Sequence, residues 1–157
     1  MKIILLVIGK TTDRHVQTLI DDYASRLNHY TPFALEVIPE LRATKSLTAE
    51  QQKAQEAELI RRQLQAGDYI VLLDEHGTER RSMDFAAWLQ KRMNAGPRRT
   101  VFIVGGPYGF DQSLHAMAKE EISLSMMTFS HQLIRLLFVE QLYRAHTILR
   151  GEPYHHE

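Results

Sequence analysis

Two stretches combine residue types that can build a ligand site. The first is Gly105-Gly106-Pro107-Tyr108-Gly109. Glycine lets backbone approach a ligand closely, and proline stiffens the turn. A strand ending this way offers N–H and C=O groups as a rigid cradle. It is not G-x-G-x-x-G, because the third glycine comes too soon and Pro107 intervenes. It is not a P-loop either, since no Gly-Lys-Ser/Thr follows. Neither a dinucleotide nor ATP is supported, and taken alone the stretch is equally well explained as a plain turn. The second stretch is Leu124-Ser125-Met126-Met127-Thr128-Phe129-Ser130, an apolar loop with interspersed hydroxyls. Such a slot suits a flat ring like adenine, apolar on its faces and hydrogen-bonding at its edges. The same methionines and phenylalanine would also serve to fill core gaps.

Charged and aromatic residues follow. The segment His131–Arg150 is apolar nearly all round at helical spacing, as in a core or an oligomer interface. It nevertheless carries His131, Arg135, Arg144 and Arg150 against one acid, Glu140. Buried charge is costly unless paired, so Arg135 and Arg144 are expected to face a carboxylate, a phosphate or a ligand. A structural ion pair is the alternative for each. The tail Pro153-Tyr154-His155-His156-Glu157 offers a ring and imidazoles of the kind that hold a flipped-out base, although chain ends are often disordered. Metal ligation by the histidine pair is not expected, since neither cysteine nor a helical His-x-x-x-His accompanies it. Asp74, Glu75 and His76 close a strand and have acid–base reach, though a solvated loop explains them as well.

These groups need elements to hold them. Ile3–Ile8 is continuously apolar and β-branched, like a strand buried on both faces. Asp13 caps a helix with Val16, Leu19, Ile20, Tyr23 and Leu27 on its inner face. Phe33–Ile38 is a second strand. Thr48 with Gln51 forms a capping-box signal for a helix to about Gln65, whose thin apolar stripe places it at the periphery. Tyr69–Leu73 is the third strand. Ser82 caps the next helix, ended by Gly96-Pro97. Val101–Val104, a short helix from Asp111 to about Lys119, and Ile122–Leu124 complete the series before the long final helix. Strands alternating with helices give an α/β fold with a mostly parallel sheet covered on both faces. Ligands then bind beyond the strands' carboxyl ends, where the loops after Leu73, Val104 and Leu124 lie.

Composition narrows the function. The 157 residues suit one domain, 1–157, with a substantial core. With 19 basic and 19 acidic residues the net charge is zero, whereas a broad electrostatic footprint on naked nucleic acid needs a basic chain. Any attraction to nucleic acid must be local or supplied by an assembled particle. The absence of cysteine removes disulfides, a thiol nucleophile and thiolate metal sites. The N-terminal apolar run stops at Gly9-Lys10 without a cleavage signal. No apolar run reaches the ~18 residues of a membrane span, so no membrane is expected and the cytoplasm is the default location.

A strand ending in GGPYG, then LSMMTFSHQLIRLLFVEQLYRAHTI, then PYHHE at the C-terminus together resemble the RlmH (YbeA-like) family of bacterial rRNA methyltransferases, of the SPOUT class. The resemblance runs essentially the length of the chain. It implies an α/β sheet with a C-terminal trefoil knot, which the residue pattern alone does not reveal. It implies a homodimer that moves a methyl group from S-adenosylmethionine to N3 of a pseudouridine. The target lies in a 23S rRNA stem-loop of the assembled 70S ribosome, and no metal is needed. Carried over by motif, the cofactor pocket involves Leu73, Gly105, Gly106, Gly109, Ser125, Met126, Met127, Thr128, Phe129 and Ser130. Arg144, Tyr154 and His155 would meet the target base. Family members often have a basic residue where this chain has His156, which is only partly charged at neutral pH. The rival expectations are a nucleotide-binding α/β enzyme and a non-catalytic ribosome-binding factor on the same scaffold.

Overall fold

The computed structural model describes residues 1–157. Five strands, β1 (Lys2–Ile8), β2 (Phe33–Ile38), β3 (Tyr69–Glu79), β4 (Arg99–Val104) and β5 (Glu120–Ser123), form one sheet in the order β2-β1-β4-β3-β5. Every neighbouring pair is parallel. The pleat sends alternate residues to opposite faces. Ile3, Leu5, Val7, Phe102 and Val104 enter one core, while Ile4, Leu6, Val101 and Ile103 enter the other. Both cores need a cover, which is why these strands read as unbroken apolar runs.

Helices α1 (Arg14–Leu27), α3 (Ser82–Ala95) and α5 (Leu133–Leu149) cover the first face. There Phe102 and Phe138 meet with ring centroids 4.6 Å apart. Helices α2 (Ala49–Gln63) and α4 (Gln112–Met117) cover the second through Ala57, Ile60 and Leu114. Asp13 caps α1 by accepting from the N–H groups of His15 and Val16, and Thr48 with Gln51 closes a full capping box on α2.

Some local expectations change. Ser82 is the first residue of α3 rather than its cap. Arg81 takes the cap position without a side-chain bond, and the Ser82 hydroxyl donates to Gln141 on α5 at 3.0 Å. Helix α2 is not wholly peripheral, since it buries Glu56 together with Ala57 and Ile60. Strand β3 does not end at Leu73. Both Leu73 and Thr78 pair with Ile122, so residues 74–77 arch out of the ladder and β3 resumes beyond them. A Cβ on Gly77 would sit 2.6 Å from the backbone of Glu121, so only glycine lets this arch lie against β5. The tail is packed: Tyr154 and His155 are half-buried against the molecule.

Candidate active site

The ladder sets Leu73 beside Val104 and beside Ile122, bringing three strand ends together. A cleft of about 520 Å³ opens there, within the range of small-molecule sites. One wall is the Gly105–Phe110 turn. Gly109, at φ 84°, donates its N–H to the carbonyl of Gly106 at 3.1 Å. A Cβ on Gly105 would press within 3.2 Å of the Phe110 ring, and one on Gly106 would fall 2.4 Å from the Glu56 carboxylate. The two glycines thus form a wall of bare backbone with no room for side chains.

The other wall is the loop after β5. Ser123 donates to the carbonyl of Ser125 at 2.8 Å, and the Ser125 hydroxyl accepts from the N–H of Met127 at 2.9 Å. Thr128 donates to Glu75 at 2.7 Å, tying this loop to the arch of β3. Leu73, Gly105, Gly106, Gly109, Ser125, Met127, Thr128 and Phe129 all line the cleft. Met126 stands outside the lining and is 79% exposed. Ser130 also lies outside it, and its hydroxyl instead accepts from the N–H of Leu133 at the start of α5.

Lys53 and His115 line the cleft although no motif announced them, Tyr108, Phe110 and Ile134 join them from the quoted segments, and the acid–base candidates Asp74, Glu75 and His76 reach it from the arch. Asp74 accepts from the backbone N–H of His76 at 2.8 Å and pairs with its ring at 3.0 Å. His115 pairs with Glu121. Asp74, His115 and Glu121 have ligand atoms within 4.8 Å of one another, and each is engaged in one of these pairs. The spacing of Asp74, His115 and Glu121 in the chain gives no hint of this meeting, because a parallel crossover creates it.

Arg135 does not face a ligand. It is 1% exposed and donates to the carbonyls of Ile8 and Gly9, each at 2.9 Å, and to the Thr11 hydroxyl at 3.1 Å. It satisfies the carboxyl end of β1 from below. Burial lowers its pKa from the ordinary value, and the charge of Glu40 opposes that shift.

Arg144, Tyr154 and His155 are brought together, with Glu140 among them. Arg144 donates to Glu140 and, at 3.2 Å, to Nδ1 of His155, and its guanidinium lies 4.8 Å from the centre of the Tyr154 ring. Arginine only donates, so His155 carries its ring proton on Nε2 when neutral. The Tyr154 hydroxyl donates to Glu140 at 2.9 Å, which makes Tyr23, 3.2 Å away, the donor to Tyr154. Burial first, with the bond to the charged Glu140 carboxylate adding to it, raises the pKa of Tyr154 far above the ordinary phenol range. None of Arg144, Tyr154 and His155 lines the cleft. Ile134 does, and Arg144 follows ten residues later on α5, a separation of about 15 Å along a helix. The chain therefore carries a cleft and a polar cluster at two places along one helix.

Over residues 1–155 the chain matches the family described as "Predicted SPOUT methyltransferase". Proteins named "Ribosomal RNA large subunit methyltransferase H" are similar to it over their full length and its own. That of Bacteroides fragilis is 59% identical, that of Bacteroides thetaiotaomicron 57% and that of Flavobacterium johnsoniae 52%, each covering 100% of both chains. A solved structure titled as a probable methylase family protein from Haemophilus influenzae Rd KW20 has a TM-score of 0.47 and 14% identity, over 99% of this chain and 70% of that one. With a family match from end to end and relatives above half identity over their whole length, this chain belongs to the SPOUT methyltransferases, among the ribosomal RNA large subunit methyltransferase H proteins.

Proposed function

We propose that this protein, acting as one domain over residues 1–157 and as a homodimer, methylates N3 of a pseudouridine in a 23S rRNA stem-loop of the assembled ribosome, with S-adenosylmethionine as methyl donor. The observation that carries this reading is the cleft at the ends of β3, β4 and β5, with bare glycine backbone on one side and the Ser125–Phe129 loop on the other. Its volume and its mixed apolar and hydroxyl lining suit a nucleoside with an amino-acid arm. S-adenosylmethionine would supply a methyl on a positively charged sulfur, an electrophile that leaves the protein mainly the work of positioning and of excluding water.

The polar cluster supplies the acceptor side. Once the base loses its N3 proton, Arg144 is suited to hold the negative charge that spreads over the ring oxygens. His155 accepts from Arg144 through Nδ1 and so holds that guanidinium in place. Tyr154 is a poor proton acceptor, because its hydroxyl stays protonated and donates to Glu140. Glu140, reached through that hydroxyl, is the carboxylate placed to take the proton. Methyl transfer to the deprotonated N3 would break the donor's C–S bond with its electron pair left on sulfur, so no further reactant would be needed.

Dimerisation has two supports. Cleft and cluster stand about 15 Å apart along α5, a separation that a two-fold partner could bridge by bringing its own cluster to this cleft. Tyr108, Met126, Met127 and Leu133 are exposed around the cleft mouth, the kind of apolar patch a partner covers. The family also implies a knotted C-terminal segment. In its support, α5 returns from β5 at the sheet's edge to β1, where Arg135 holds the carbonyls of Ile8 and Gly9.

The test is transfer of labelled methyl from S-adenosylmethionine. Ribosomes lacking the modification should accept label readily, and a naked 23S transcript should accept little, because a neutral chain needs the particle's shape. Equal labelling of both would refute the requirement for an assembled particle. Ribosome binding with no transfer at all would favour a non-catalytic binding factor.

A further inference from the structure

Glu56 lies in the middle of α2 and is only 4% exposed. Its carboxylate stands directly behind the cleft wall: an ideal Cβ on Gly106 would sit 2.4 Å from Oε2 and 2.5 Å from Oε1. Oε1 has no hydrogen-bond partner, and Oε2 receives one long bond of 3.4 Å from Gln52. No cation pairs with it. Lys53 pairs with Glu50 at 2.9 Å, and Arg61 is held by Glu58 and Ser113. Burial accordingly raises its pKa, with only Gln52 opposing.

A buried carboxylate without a partner is a cost to folding. Gln or Met would fill the same space without it. Groups that cost stability in this way belong to sites where something else compensates. Here the compensation has a clear address, since Gly106 lines the cleft and packs directly against the carboxylate, and a charge acts across so thin a wall.

We propose that Glu56 is the anionic subsite of the cleft, a specificity residue that favours a ligand carrying positive charge against the Gly105–Gly106 wall. This rests on the donor assignment above and deepens it. S-adenosylmethionine carries two cationic groups, a sulfonium and an ammonium. Transfer leaves the sulfur neutral, so if the sulfonium is the group against this wall the anion also favours the donor over the spent product. Glu56 thereby acts by its charge and not by touching the reacting atoms.

The experiment measures dissociation constants by calorimetry for S-adenosylmethionine, S-adenosylhomocysteine and methylthioadenosine, which lose the sulfonium and then the amino-acid arm. Wild type is compared with Glu56→Gln, Glu56→Met and Glu56→Asp, with melting temperatures for each. Loss of charge in the Gln and Met variants should weaken S-adenosylmethionine about tenfold and leave methylthioadenosine unchanged, with a melting temperature equal to or above wild type. The Asp variant should keep the preference. If S-adenosylhomocysteine weakens alongside the donor, the ammonium is the group sensed; if only the donor weakens, it is the sulfonium. Equal losses on all three ligands, or a fall in melting temperature in both neutral variants, would make Glu56 a structural residue and overturn the proposal. Wild-type protein that binds none of the three would overturn the donor assignment, and this proposal with it.

Discussion

His146 shows how one buried side chain sets a property of the whole fold. It is 5% exposed, its Nε2 has no partner, and it stacks on Tyr30 with ring centroids 5.5 Å apart. Burial first, then the charge of Arg150, lowers its pKa from 6.5 to about 4. Between those values the unfolded chain binds more protons than the folded one, so stability is complete above pH 6.5 and falls as pH drops towards 4. The loss should reach on the order of 3 kcal/mol. Urea midpoints across that window should fall for wild type, and His146→Phe should flatten the slope; an unchanged slope would assign it to other groups. Gly106 is a second single-residue case. Its φ is not positive, so an alanine there meets no backbone strain, only the Glu56 carboxylate. Gly106→Ala should cost about 1–3 kcal/mol, as overpacking does, and weaken donor binding. Adding Glu56→Ala should recover part of that stability in a double-mutant cycle; strict additivity would mean the two do not meet. The glycine pair was legible in the sequence as a close-approach turn. Glu56 was not, because it reads as one more acid on a polar helix until the crossover lays that helix behind the turn.

At the scale of elements, α5 has two jobs. Its first turns touch the cleft through Ile134, and its later turns hold Glu140 and Arg144 against the tail. The strands and helices were largely legible, because buried parallel strands need unbroken apolar runs and helix starts need caps. The arch of residues 74–77 was not, since nothing local signals that β3 resumes after it. The order of the tail was not legible, since it depends on Tyr23 and Glu140, far away in sequence. Deleting residues 153–157 should abolish methyl transfer to ribosomes while leaving the affinity for S-adenosylmethionine unchanged, because no tail residue lines the cleft. Calorimetry on the truncated chain checks this, and a matching loss of donor affinity would place the tail at the cleft instead.

At the scale of the molecule, cleft and cluster stand about 15 Å apart along α5. If the cleft holds the donor and the cluster holds the base, as proposed, Gly106→Ala and Arg144→Ala should each lose most activity alone at limiting donor. If the site is shared, a mixture of the two regains about a quarter of wild-type activity. Random pairing makes half the dimers mixed, and each mixed dimer has one intact site. A mixture as inactive as its parts would place the whole site within one chain. No helix here is long and apolar enough to cross a membrane, and the net charge is zero.

The sequence by itself determined the alternating α/β order, the two loops at the strand ends and, through the specific run of motifs, the family. Those follow from local rules: period, capping, turn chemistry and short-range spacing. Only the tertiary structure decided that Arg135 serves β1 and not a ligand, that Tyr154 is held protonated against Glu140, and that Glu56 stands unpaired behind Gly106. The physical reason is the same in each case. A side chain's partners across a parallel crossover are set by register and helix placement over many residues, and burial and charge act on whatever that packing brings near.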